Sequence, residues 1–193
     1  MPGRSLSATL ALAVIGLAPF TAGASPILPN VWYEFSWDAG VTPLAACTAA
    51  CILATNPPDG NPIVNAPDPA WTITLAGSGD LIVQDLFLSV DRFDFHDGAT
   101  DLGNTSLNVS GSDCGASIIA CMGNAAFSHG DFALAAGAHS FTGTQINAGS
   151  PGGAAVFEVR QVAATPEPAS LALLGTGLLS LAGLGLRRRR KTG

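Results

Sequence analysis

The sequence predicts an all-β body, an antiparallel β-sandwich or jelly roll, set between two apolar ends that serve export rather than the fold. Three observations predict it. Short runs alternate apolar and polar residues with period two. Gly, Pro, Asn and Ser punctuate those runs at the spacing of an antiparallel sandwich. Only one segment of the body, residues 44–53, offers a helix, and it reads equally well as a loop held by sulfur.

Residues 1–24 read as a signal peptide. Arg4 supplies the basic start, and residues 6–18 form an apolar stretch too short to span a bilayer. Ala22-Gly23-Ala24 is an A-x-A-like cleavage site, with Ser25 as the first mature residue.

The exported domain follows at residues 25–165. In residues 30–37, Val31, Tyr33, Phe35 and Trp37 share one face. In residues 71–75, Trp71, Ile73 and Leu75 do the same. Residues 81–90 form a longer apolar run with Asp85 inside it. Asp97-Gly98 suits a type I′ turn, because both central residues of that turn need positive φ. It predicts a hairpin pairing His96 with Ala99 and Phe93 with Leu102, with Phe93, Phe95 and Leu102 toward the core. Further strands are expected at 105–109, 131–134, 139–144 and 155–162. Residues 56–69 and 148–154 read as loops.

Charge narrows the function. Between residues 25 and 166 stand thirteen acids against Arg92 and Arg160, a formal charge of −11. Such a body repels phosphate backbones, which excludes nucleic acid as a partner. Cys47, Cys51, Cys114 and Cys121 make an even count in an exported chain, the mark of disulfides with three possible connectivities. Cys114–Cys121 and Cys47–Cys51 are the expected bridges, with cross-pairing open. A zinc site is disfavoured, since neither pair has C-x-x-C spacing.

Asp91, Asp94, Asp97 and Asp101 are the candidate metal ligands. Hard oxygens in a loop suit Ca²⁺, and Asp94 and Asp101 are expected as cross-strand neighbours whose repulsion a cation relieves. The spacing is not that of the helix–loop–helix calcium motif. No cofactor is otherwise implied. His96, His129 and His139 are scattered, without metal-ligand spacing, and read as surface or packing residues. Trp37 and Trp71 fall on apolar faces; Trp32 falls on the opposite face and is the candidate for a sugar contact. No catalytic motif of a serine hydrolase, zincin or P-loop enzyme occurs.

At the other end, Pro166-Glu167-Pro168 precedes an uncharged stretch, residues 169–186, long enough at about 27 Å to cross a bilayer. A basic block, Arg187, Arg188, Arg189, Arg190 and Lys191, closes it. By the positive-inside rule the block stays in the cytoplasm and the body lies outside. These three features in this order, residues 166–193, resemble the PEP-CTERM sorting domain, a tail also labelled an ice-binding protein C-terminal domain. The resemblance implies recognition by an exosortase-type membrane protease, cleavage near Pro-Glu-Pro, and delivery to the cell surface or the extracellular polysaccharide. The body from Phe87 to Arg160 also resembles a β domain found in front of such tails, carried by Asp91-Arg92-Phe93, Phe127-Ser128-His129-Gly130 and Phe157-Glu158-Val159-Arg160 among others. That second resemblance implies no established activity.

The expectation is therefore an exported cell-surface or matrix protein, anchored transiently in the inner membrane, with a non-enzymatic body. Its alternatives are a Ca²⁺- or polysaccharide-binding module and, further off, a secreted hydrolase.

Overall fold

The computed structural model describes residues 23–47, 51, 53–107, 109, 111–147 and 151–161. The leader as far as residue 22 and the sorting tail, with its expected helix 169–186, lie outside the described residues. No helix among the described residues is long and apolar enough to cross a membrane.

The body is built of short strands. In chain order they are β1 (Ser25–Pro26), β2 (Trp32–Trp37), β3 (Thr42–Pro43), β4 (Ala45–Ala46), β5 (Ile63–Asn65), β6 (Trp71–Leu75), β7 (Gly79–Asp85) and β8 (Phe87–Leu88). Next come β9 (Phe93–Asp97), β10 (Thr100–Asn104), β11 (Asp113–Gly115), helix α1 (Ile118–Met122), β12 (His129–Leu134), β13 (Gly137–Gln145) and β14 (Gly153–Gln161). One sheet runs β1-β6-β13-β9-β10, with β3 also on β13. The second runs β12-β7-β14-β2-β4, with β5 also on β2. A small third sheet joins β11 to β8. Pairing is antiparallel except for β1 with β6 and β5 with β2.

Period two decides what the sheets bury. Tyr33, Phe35 and Trp37 of β2, Leu81 and Val83 of β7, and Phe157 and Val159 of β14 line one side of the main core. Trp71, Ile73 and Leu75 of β6, Phe93 and Phe95 of β9, and Phe141 of β13 line the other. Phe35 sits at the centre, its ring 5.4 Å from Phe93 in an edge-to-face contact and 5.9 Å from Trp71. Such offset pairs add to the area they bury. A second, smaller core lies on the far side of the second sheet, where Trp32, Ile82, Leu86 and Val156 meet Ile118, Cys121 and Phe127. Strand β14 therefore packs on both faces, between β7 and β2.

Several expectations need correction. The hairpin loop is Gly98-Ala99, so Asp97 pairs with Thr100 and Asp101 with His96. Gly98 alone of the pair takes positive φ, 58°, the sign pattern of a II′ turn rather than I′. A bulge between Asp101 and Gly103 then sets Gly103 opposite Phe95. Phe93 and Phe95 are buried as expected, and Leu102 packs against the core.

The run 81–90 is two strands, because Phe87 turns through φ 60° and carries the chain off to β11. Residues 105–107 form no strand: the Arg92 guanidinium takes the carbonyls of Thr105 and Ser106 that a ladder would need. The helix candidate instead supplies β4, and Cys47 donates its amide to Ala66. Within 56–69, residues 63–65 add to the second sheet as β5. Trp32 is fully buried, its indole N–H donated to Asp59 Oδ1 at 3.2 Å, so it presents no face to a sugar.

Candidate functional site

The four aspartates proposed as one metal site go to three places. Asp94, on β9, lies 3.0 Å from His96 Nε2 through its Oδ2 and accepts a hydrogen bond when that nitrogen carries a proton. Asp101 lies across the hairpin, and the ligand atoms of Asp94, His96 and Asp101 fall within 4.8 Å of one another. The shifted loop sets Asp101 opposite His96 and leaves Asp94 opposite Asn104. Asp97 is used structurally. Its Oδ2 meets His139 Nδ1 at 2.7 Å and its Oδ1 accepts the Ser140 amide at 2.8 Å, tying β9 to β13. Asp91 turns inward and is buried, with Gln145 Nε2 at 3.3 Å from its Oδ1. The three histidines stay apart: His96 with Asp94, His129 with the Ser106 hydroxyl, and His139 with Asp97.

The buried polar groups lie where sequence reasoning placed core or plain strand. Asp85 ends β7 at the parity of Leu81 and Val83, so its carboxyl enters the space between the sheets. It is wholly buried, and neither of its oxygens has a hydrogen-bond partner. Burial, and then the charge of Asp91, push its pKa up to about 9; the amides of Asp91 and Leu86 oppose this without completing a hydrogen bond. Gln145 ends β13 at the parity of Phe141, on the opposing inner face, and its Oε1 is also buried without a partner.

Two glutamates are buried in the second sheet. Burial raises the Glu34 carboxyl, while the Ala54 amide, donated to Oε2 at 2.7 Å, works against it. Glu34 lies beside Cys47 and Cys51, which are bonded to each other and so are not metal ligands. Burial likewise raises Glu158, which accepts from Asn61 and from Arg160 at 2.9 Å. Arg160 also reaches Asp59 at 3.0 Å. Burial acts to raise Asp59, but the Asn61 amide, the Trp32 indole and Arg160 outweigh it and hold the carboxyl below its usual value.

Both expected bridges are present. Cys47 and Cys51 are joined with Cα atoms 5.8 Å apart, and Cys114 and Cys121 with 5.2 Å. The second closes a loop that α1 completes; its buried Ile118 and Cys121 face the smaller core. At the proposed signal cleavage point, Ala24 is exposed and Ala22 lies outside the described residues. Ser25 opens β1 and donates its N–H to the Ala70 carbonyl at 2.8 Å.

A disulfide-bonded β body followed within a few residues by an apolar, arginine-ended terminus is the layout of an exported protein with a C-terminal sorting tail. That tail is a PEP-CTERM protein-sorting motif, whose family model matches residues 164–190. The match covers the tail, where it supports exosortase-targeted export, and does not extend to the body. No curated protein and no solved structure matches the chain.

Proposed function

We propose that this is an exported cell-surface or extracellular-matrix protein whose tail delivers it to an exosortase-type membrane protease, and whose body is a non-enzymatic β-sandwich. The observation that carries the reading is the sorting motif at residues 164–190, which begins three positions after β14 ends at Gln161. Cleavage near Pro166-Glu167-Pro168 therefore releases the body with its last strand whole. The leader supports the same route, since Ser25, the first residue of the mature chain, is also the first residue of β1. Two disulfides fit an oxidising destination. In this reading the protein is anchored in the inner membrane until the protease acts, and then reaches the surface or its polysaccharide.

Intact-mass measurement on protein recovered from exosortase-bearing cells tests it. The expected chain starts at Ser25, ends close to Pro168 and carries no free thiol. In cells lacking the protease, the apolar tail stays attached. A chain recovered from the cytosol with four free thiols overturns the reading.

A further inference from the structure

We propose that the Cys47–Cys51 bridge is an exchangeable disulfide: a thiol entering the cleft beside Cys51 attacks that sulfur, and Glu34 protonates the Cys47 sulfur as it leaves. The product is a covalent link between the body and whatever carries the thiol.

Three features meet at this bridge. The two sulfurs differ in access: Cys47 is buried, whereas Cys51 is half-buried and lines an open cleft of about 490 Å³ with Trp37, Phe87, Pro151 and Ala154. That is room enough for a small thiol or for the cysteine of a longer chain. Next, a carboxyl is built against the bridge. Strand β4 pairs Ala46 with Phe35, so one further step of the antiparallel register sets Cys47 beside Glu34. A carboxylate oxygen of Glu34 and both sulfurs lie within 4.8 Å of one another. Last, that carboxyl is wholly buried and only half used. The Ala54 amide donates to Oε2 at 2.7 Å, and Oε1 has no hydrogen-bond partner among the described residues. Burial raises its pKa, so it keeps its proton to higher pH than an exposed glutamate does.

Exchange needs a thiolate to attack one sulfur and expel the other. Access directs the attack to Cys51, which makes Cys47 the leaving group. A thiolate formed in that buried place is disfavoured unless it gains a proton. Glu34 stands beside it with one, and such contacts tighten as the charge develops. The Cys47–Cys51 bond breaks, a bond forms between the incoming sulfur and Cys51, and the Glu34 proton passes to Cys47. The proton that the incoming thiol gave to water then restores Glu34. No outside oxidant or reductant is consumed. Run backwards, the Glu34 carboxylate takes the proton from Cys47, whose thiolate expels the guest. Each bridge reacts once, so the body is joined to a partner and does not turn over. The Cys114–Cys121 bridge is the internal control: among the described residues, no carboxyl comes within 4.8 Å of both its sulfurs.

The test uses the exported full-length chain in detergent. It is incubated with cysteamine, quenched with iodoacetamide and mapped by mass spectrometry over time. The expected result is cysteamine on Cys51 and alkylated Cys47, formed at least about tenfold faster than any adduct at Cys114 or Cys121. Glu34→Gln keeps the shape, and an oxygen for the Ala54 amide, but carries no acidic proton. It is expected to slow the adduct by about tenfold or more. If that variant does not fold, the wild-type map still decides. Cysteamine on Cys47, both bridges reacting at one rate, or no adduct at all overturns the proposal, and so does a folded Glu34→Gln that reacts as fast as the wild type. None of these outcomes bears on the tail, whose processing is read from the intact mass.

Discussion

Raising the pH should destabilise the protein, and Asp85 sets the size of the effect. In the folded chain its carboxyl keeps a proton up to about pH 9, whereas the unfolded chain releases it near 3.8. Between those values the native state holds more protons than the unfolded one, so stability falls as pH rises; below about 4 the contribution is fully present. Each pH unit inside the window costs at most about 1.4 kcal/mol. From pH 5 to pH 8 the ceiling is thus about 4 kcal/mol, which local rearrangement and water entry reduce. For a body of this size that corresponds to a fall in melting temperature of up to about 14 °C. Of the charged groups acting on Asp85, Asp91 raises its pKa further, and no arginine offsets it. Glu34 and Glu158 are also raised and tilt the curve the same way; Asp59 is lowered, and its contribution is lost only as pH falls through its native pKa. The assay is calorimetric melting at pH 5, 6, 7 and 8 for the wild type and Asp85→Asn. The variant should show a flatter profile and should match or exceed the wild type at pH 8. Parallel profiles would refute the assignment of the buried proton to Asp85.

Three further outcomes are expected. Trp32→Ala should cost about 3–5 kcal/mol in urea unfolding, because it empties the centre of the smaller core. Replacing Cys114 and Cys121 together by Ser should cost about 2 kcal/mol, the entropy of a short closed loop, measured the same way. Gly79→Ala should cost about 1–3 kcal/mol in thermal melting, since an added Cβ would stand 2.5 Å from the Arg160 carbonyl oxygen, a backbone atom that cannot swing aside.

The parts legible in the sequence were those that period two decides locally. Strands β2 and β6 alternate without interruption, and the residues so picked out, Tyr33, Phe35, Trp37, Trp71, Ile73 and Leu75, all lie in the main core. The hairpin went wrong by one residue for a reason no local rule contains: Asp97 is fixed by His139 and Ser140 on β13, so it belongs to the ladder and not to the loop. Trp32 was assigned outward because parity is relative. The outer face of β2 is itself covered, by Phe127 and the Cys114–Cys121 loop with its helix, which five residues of sequence did not announce. The four aspartates grouped by spacing are likewise not gathered in one place, although Asp94 and Asp101 stay together on the hairpin. Spacing groups Asp91 with Asp94, Asp97 and Asp101, but Asp91 turns inward to Gln145 on β13, 54 residues further along the chain, and acts on Asp85 at the end of β7. The one local sign was Asp85, a lone acid within an apolar run and in phase with its buried residues.

The two proposed cleavage points make sense together once the position of β14 is considered. A strand at the edge of a sheet can be lost with modest damage, but β14 pairs on both sides and is buried on both faces. Its Phe157 contacts Tyr33, Phe35 and Trp71, rings from both sheets. A sorting signal appended to such a strand must be read and cut without drawing the strand out. The interval between Gln161 and the Pro-Glu-Pro motif is the length of chain that keeps those two demands apart. At the other end β1 is a two-residue edge strand on β6, and the new amino terminus left by cleavage before Ser25 can still donate to Ala70. The fold thus places its replaceable strand at the proposed leader cleavage point and its indispensable strand upstream of the sorting motif. On the proposed route, removal of both ends would leave the same core before and after each cut.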